Sequence, residues 1–116
     1  MKIPEEGKLL RIFIGESDKH EGKPLHEAIL LLARKEGLAG CTVIKGFEGF
    51  GAASRIHTTK ILRLSEDLPV IIEIVDAADK IDRFLPHLDK MVPEGLVTVE
   101  KIKVILYRHG SDRRVP

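Results

Sequence analysis

The stretch Lys45-Gly46-Phe47-Glu48-Gly49-Phe50-Gly51-Ala52-Ala53-Ser54-Arg55-Ile56-His57 concentrates residues suited to binding. Glycine permits φ > 0 and lets another group approach the backbone closely. Backbone N–H groups freed in this way can form a nest for phosphate oxygens. Cations flank the stretch: Lys45, Arg55 and Lys60, with Arg108, Arg113 and Arg114 near the C-terminus. The arginine fork suits phosphate. The chemistry in view is capture of a small anionic ligand, contact with a partner protein, or both. Gly46-x-x-Gly49-x-Gly51 is not a Walker A loop, which needs Gly-Lys-Ser/Thr, nor a dinucleotide fingerprint, which needs a helix after it. A bulged hairpin whose glycines relieve crowding, beside solvated surface cations, fits the same spacing.

Other chemistry-bearing residues are sparser. Glu73 is a lone charge in the apolar run Val70-Ile71-Ile72-Glu73-Ile74-Val75. A buried carboxylate needs a partner, so Glu73 pairs with a basic group across a subunit interface, faces a ligand, or turns to solvent. His20, His26, His57, His87 and His109 are scattered, with no His-x-His or His-x-x-x-His pair. No local metal site follows from them; they read as surface or helix-end histidines, with a site assembled between subunits as the alternative. The single cysteine, Cys41, excludes an intrachain disulfide and a cysteine zinc cluster. In an apolar strand pattern it reads as a small buried hydrophobe rather than a reactive thiol. Ser17, Ser54 and Ser65 have no nucleophile-elbow context. No covalent catalyst is expected and no cofactor is required.

The elements that position these residues are legible from periodicity. Lys8–Gly15 alternates, with Leu10, Ile12 and Ile14 on one face and Leu9, Arg11 and Phe13 on the other, as a strand does. Glu16–Gly22 is polar and reads as a loop. Pro24–Glu36 reads as a helix with proline in its first turn, a core stripe of Leu25, Ala28, Ile29, Leu32 and Ala33, and Gly37 as its stop. Leu30 and Leu31 widen the stripe towards a second covered surface. Cys41–Phe47 and Thr58–Leu64 read as the second and third strands, and Ser65–Pro69 as a turn. Val70–Val75 suits a central strand covered on both faces, with Pro69 able to open it. Asp76 is placed to cap a second helix carrying Ile81, Phe84, Leu85 and Leu88 and ending near Met91. Pro86 should kink it or end it early. After a turn at Val92-Pro93-Glu94-Gly95, the last strand spans Leu96–Arg108. Its apolar parity changes midway, which predicts a β-bulge or break near Glu100-Lys101.

The order is β-α-β-β-α-β, the ferredoxin-like α+β sandwich with two helices on one face of an antiparallel sheet. Leu9, Phe13, Ile71 and Val75 would then lie bare on the other face. A monomer rarely tolerates such a patch, so assembly through the sheet is expected. The 116 residues suit one domain, 1–116, with 1–7 and 109–116 as flexible ends. Net charge is +1 and aromatic content 4%. That leaves neither a basic field for nucleic acid nor a base-stacking platform. No apolar run approaches the ~20 residues of a membrane span, and the N-terminus lacks a signal core; a cytoplasmic address is the default.

Several motifs, taken together, resemble a known family. Lys45-Gly46-Phe47-Glu48-Gly49-Phe50-Gly51, Ser54-Arg55-Ile56-His57-Thr58, Leu62-Arg63-Leu64-Ser65-Glu66-Asp67-Leu68-Pro69, Ile72-Glu73-Ile74-Val75-Asp76 and Glu94-Gly95-Leu96-Val97-Thr98 look like the PII-like proteins of domain-of-unknown-function family 190. The likeness runs from about Leu9 to Tyr107. Through that family the chain is similar to the PII signalling superfamily. The resemblance implies a homotrimer with sheets facing inward and adenine-nucleotide binding between subunits. It also implies a loop between the second and third strands that reports ligand state to a partner, such as a membrane transporter or another regulated protein. Carried over by residue, Lys45, Gly46 and Phe47 fall at the base of that loop, where the nucleotide is held. Glu73 falls close to the base pocket, and Arg108 matches an arginine that reaches phosphate.

Two departures narrow the expectation. Val92-Pro93-Glu94-Gly95 is short and acidic where other superfamily members carry a lysine-bearing, phosphate-gripping loop. The loop after Phe47 is short and lacks the modified tyrosine, so uridylylation is not expected. ADP, AMP or a cyclic nucleotide then suits the site better than ATP. The expected nucleotide site uses Lys45, Gly46, Phe47, Glu48, Gly49 and Gly51 as its lining, Arg55 and Arg108 at phosphate, and Glu73 at the base; signalling runs through residues 48–57. The alternatives are a metal-binding or enzymatic trimer of the same fold, and a partner-binding module without nucleotide.

Overall fold

The computed structural model describes residues 6–51 and 67–109. In chain order the elements are β1 (Glu6–Gly15), a short hairpin of β2 (Lys19–His20) and β3 (Lys23–Pro24), α1 (Leu25–Lys35), β4 (Thr42–Lys45), β5 (Pro69–Ala77), α2 (Ala78–Met91) and β6 (Leu96–Lys103). The four longer strands form one antiparallel sheet of order β4-β5-β1-β6.

Alternation in β1 and β5 produces the core. Register sets Leu10 opposite Ile74, Ile12 opposite Ile72 and Ile14 opposite Val70, so six apolar side chains share one face. Leu25, Ile29 and Ala33 of α1 and Ile81, Phe84, Leu88 and Met91 of α2 pack on that face. Each large aliphatic or aromatic side chain buried there contributes about 1.5–3 kcal/mol. Both helices therefore cover one side of the sheet, the ferredoxin-like α+β arrangement. On the open side Leu9, Phe13, Ile71 and Val75 are half-buried, while Ile44 and Leu96 stay exposed. Gly37 ends α1 at φ +79, its N–H donating to the Arg34 carbonyl at 3.1 Å, the left-handed turn that glycine adopts without strain.

Several elements differ from the periodicity reading. The polar loop after β1 contains the β2–β3 hairpin, whose two turn residues, Glu21 and Gly22, both have positive φ (52° and 81°). Such turns normally signal themselves with Asn-Gly or Asp-Gly, and Glu-Gly gives a weaker cue. Pro24 stands just outside α1, at the N-cap, rather than in its first turn. Leu30 and Leu31 face solvent. The second strand is only Thr42–Lys45. Residues 58–64, the expected third strand, lie outside the described residues. Asp76 does not cap α2. It continues the buried parity of β5, and Ala77 holds the N-cap position with no side-chain bond. Pro86 neither breaks nor ends α2. It is exposed, so the Asp82 carbonyl it deprives of a donor can turn to water. β6 pairs with β1 without a bulge, in unbroken register from Phe13–Leu96 to Glu6–Lys103. The parity change in the sequence marks the end of the strand: residues 104–109 leave the sheet.

Candidate functional site

The end of the sheet formed by Gly15, Lys45, Pro69 and Leu96 carries the glycine-rich loop. Gly46 N–H donates to the Pro69 carbonyl at 2.6 Å. A Cβ on Gly46 would stand 2.6 Å from Pro69 Cγ, so this close approach requires glycine. Gly49, at φ +154, packs on the same ring. Lys45 Nζ lies 2.9 Å from Glu16 Oε2, and Glu16 N–H donates to the Leu68 carbonyl at 2.8 Å. Ser17 donates through both N–H and Oγ to Asp67 Oδ1, at 3.1 and 2.7 Å. Three loops are thus tied together at the loop base. Beyond it the chain is presented to solvent: Phe47 is 83% exposed and Phe50 74%, and Glu48 and Gly51 are also exposed. Arg55, Ser54, His57, Lys60, Arg113 and Arg114 lie outside the described residues.

Glu73 sits on the open face of β5, directly opposite Arg11 of β1. Its carboxylate accepts from Arg11 Nε at 2.8 Å, and Arg11 Nη1 reaches Glu100 of β6 at 3.2 Å. The bond to Glu73, followed by the charges of Glu73 and Glu100, raises the Arg11 pKa above its usual value. Glu73 thus has a basic partner within its own chain.

Arg108 is exposed and follows Tyr107, which reaches the opposite end of the sheet. After Lys103 the chain crosses that end, and the Tyr107 hydroxyl donates to the Ala39 carbonyl at 3.2 Å. Ala39 N–H in turn donates to the fully buried Asp76 carboxylate at 2.9 Å; the other Asp76 oxygen accepts from Ala77 N–H at 2.7 Å. A cleft of about 280 Å³ opens between this segment and the sheet, with Glu73, Thr42, Val75, Leu106 and Tyr107 in its wall. Cys41 borders it, half-buried against the core, and burial pushes its thiol pKa up. Lys45 is opposite Val70, and Ala39 is bonded to Asp76. Six strand residues therefore separate the loop base from the Arg108 end, about 20 Å at the usual rise. The candidate residues fall into two groups that one chain does not bring together.

Among the described residues no group of three or more His, Cys, Asp or Glu is arranged to hold a metal ion, and no helix is long and apolar enough to cross a membrane. His87 lies 3.6 Å from Glu36 and His20 3.8 Å from Glu21.

The profile of the family DUF190, described as Uncharacterized ACR, COG1993, matches residues 7–104. The chain belongs to the DUF190 family. A UPF0166 protein of Aquifex aeolicus (strain VF5) is 42% identical over 98 residues, 84% of this chain and 92% of that protein. A UPF0166 protein of Methanocaldococcus jannaschii is 39% identical over 95 residues, 81% and 87% of the two. The fold of this DUF190 chain is PII-like. It matches a PII-like signalling protein of Thermus thermophilus with a TM-score of 0.60 at 18% identity, over 90% of this chain and 94% of that one. It also matches CPII of Thiomonas intermedia K12, a nitrogen regulatory PII-like protein solved with ADP, AMP and bicarbonate. There the TM-score is 0.55 at 18% identity, over 89% and 97% of the chains.

Two features of the DUF190 chain escaped the sequence reading. Arg11 was legible in principle: a lone arginine in one apolar strand is the natural partner of a lone glutamate in the strand beside it. Tyr107 gave no signal, because its bond to Ala39 spans 68 residues of sequence.

Proposed function

We propose that this DUF190 protein is a PII-like regulator that assembles as a homotrimer, binds an adenine nucleotide in the clefts between subunits, and signals through residues 48–57. The separation of the two candidate groups carries this reading. Lys45 lies about 20 Å along the strands from the end of the sheet that Tyr107, the neighbour of Arg108, contacts, and this spacing favours a nucleotide that meets both Lys45 and Arg108 where two copies adjoin. CPII, which shares the fold, binds ADP and AMP, and that supports the ligand class. The turn Val92–Gly95 offers Glu94 and no lysine, which favours ADP or AMP over ATP. In this scheme Arg55 and Arg108 meet phosphate and Glu73, braced by Arg11, borders the base. Ligand binding orders residues 48–57 and shifts a population rather than driving a reaction. A cytoplasmic protein of this kind needs no catalytic residue; a membrane transporter or another regulated protein reads the loop.

The test is calorimetric titration with ADP, ATP, AMP and cyclic AMP separately, on the parent and on Arg108→Ala. Saturable binding is expected, weakened in Arg108→Ala without loss of fold. Ligand at a hundred times its dissociation constant should add about 2.7 kcal/mol of stability. Binding by none of the four nucleotides refutes the proposed ligand class. Unchanged affinity in folded Arg108→Ala refutes that residue's role.

A further inference from the structure

Lys45 is the cation at the base of the glycine-rich loop, and its charge is already met. Its Nζ stands 2.9 Å from Glu16 Oε2. Lys45 is exposed and Glu16 half-buried. A solvated pair of this kind is ordinarily weak, because two long side chains must be held in one geometry. Here the backbone that carries Glu16 is fixed in advance.

The turn after β1 closes on itself and on the start of β5. Gly15 N–H donates to Asp18 Oδ2 at 2.9 Å, and Asp18 N–H donates to the Gly15 carbonyl at 3.2 Å. Glu16 N–H donates to the Leu68 carbonyl, and both Ser17 donors go to Asp67 Oδ1. Asp67 holds a φ of +47°, which residues other than glycine seldom adopt. A Cβ on Gly15 would collide with the Asp67 carboxylate. The turn is thus fastened to Asp67 and Leu68, which follow the loop, while the Glu16 carboxylate reaches Lys45, which precedes it. A carboxylate tethered this way meets its partner at a high effective concentration.

We infer that Glu16 is a built-in competitor for Lys45: a ligand phosphate must displace the Glu16 carboxylate, or bind beside a like charge, to use that ammonium. The inference rests on the nucleotide reading above and adds a control on affinity at the loop base. It also gives binding a second effect. Phosphate at Lys45 unhooks the turn after β1 from the residue that leads into the loop, and leaves it fastened to the residues that follow the loop.

The test is calorimetric titration of ADP into the parent and into Glu16→Gln, which keeps the side chain's shape and removes its charge, with circular dichroism to check the fold. Removing the competitor should tighten ADP binding about two- to five-fold, the range set by an exposed ion pair. The gap should narrow as salt rises, since solvent reaches both side chains. Acetylation of Lys45 in the ligand-free protein, followed by mass spectrometry, is the second measurement. Lys45 should react faster in Glu16→Gln than in the parent. ADP bound no more tightly by folded Glu16→Gln, or a gap that salt leaves unchanged, overturns the competition and leaves the nucleotide reading standing. Equal acetylation rates overturn the pair itself. ADP bound by neither protein refutes the nucleotide reading and this inference with it.

Discussion

Gly46→Ala probes the loop base most directly. The added methyl would lie 2.6 Å from Pro69 Cγ and 3.1 Å from the Pro69 carbonyl oxygen. Neither neighbour yields easily, because Cγ is held in a ring and the carbonyl accepts the Gly46 N–H at 2.6 Å. Overpacking at such a contact costs about 1–3 kcal/mol, and parting the chains enough to relieve it would forfeit a hydrogen bond of about 0.5–1.5 kcal/mol. Gly46 lies just past the end of β4, where the chains separate more readily than in mid-sheet. A loss of about 2 kcal/mol is therefore expected, roughly 30-fold in the folding equilibrium. Urea unfolding at one fixed protomer concentration measures it, since the proposed assembly would make stability concentration-dependent; the midpoint should fall with the slope unchanged. Gly40→Ala is the control. A Cβ there meets nothing within 4 Å, and its effect should stay within about 0.5 kcal/mol. Gly46→Ala as stable as the parent, or Gly40→Ala equally damaging, would refute the claim that this close approach pins the loop base. Because the loop base is also the proposed nucleotide lining, ADP affinity should fall in Gly46→Ala and hold in Gly40→Ala.

Two further outcomes follow from the opposite end of the sheet. Asp76→Ala removes the acceptor of two backbone N–H groups in a fully buried position. It should cost about 2–4 kcal/mol by urea unfolding; a loss under about 1 kcal/mol would show that the carboxylate does not tie Ala39 to the sheet. Burial raises the Cys41 thiol pKa, so the folded chain holds that proton more tightly than the unfolded chain. Its contribution to stability is fully present at neutral pH and is lost as pH rises from the unfolded thiol value through the folded one. The pH midpoint of Cys41 alkylation should lie higher in native than in urea-unfolded protein, and a native midpoint at or below the unfolded one would contradict this.

Local patterns made most of the fold legible. The alternation of Leu10, Ile12 and Ile14, and the spacing of Ile81, Phe84 and Leu88, each describe one element against one core, so periodicity alone located β1 and α2. Asp76 shows where a local rule loses. An aspartate before a helical pattern resembles a cap, yet position 76 also extends the buried parity of 70, 72 and 74. Burial won because Ala39, 37 residues away, supplies a donor there. The β6 bulge failed for a related reason: Val104 and Leu106 border a cleft rather than continuing the sheet. The loop base at Lys45–Gly51 was readable from glycine spacing. That Tyr107, beside Arg108, reaches the far end was not, because its place depends on the path taken after β6.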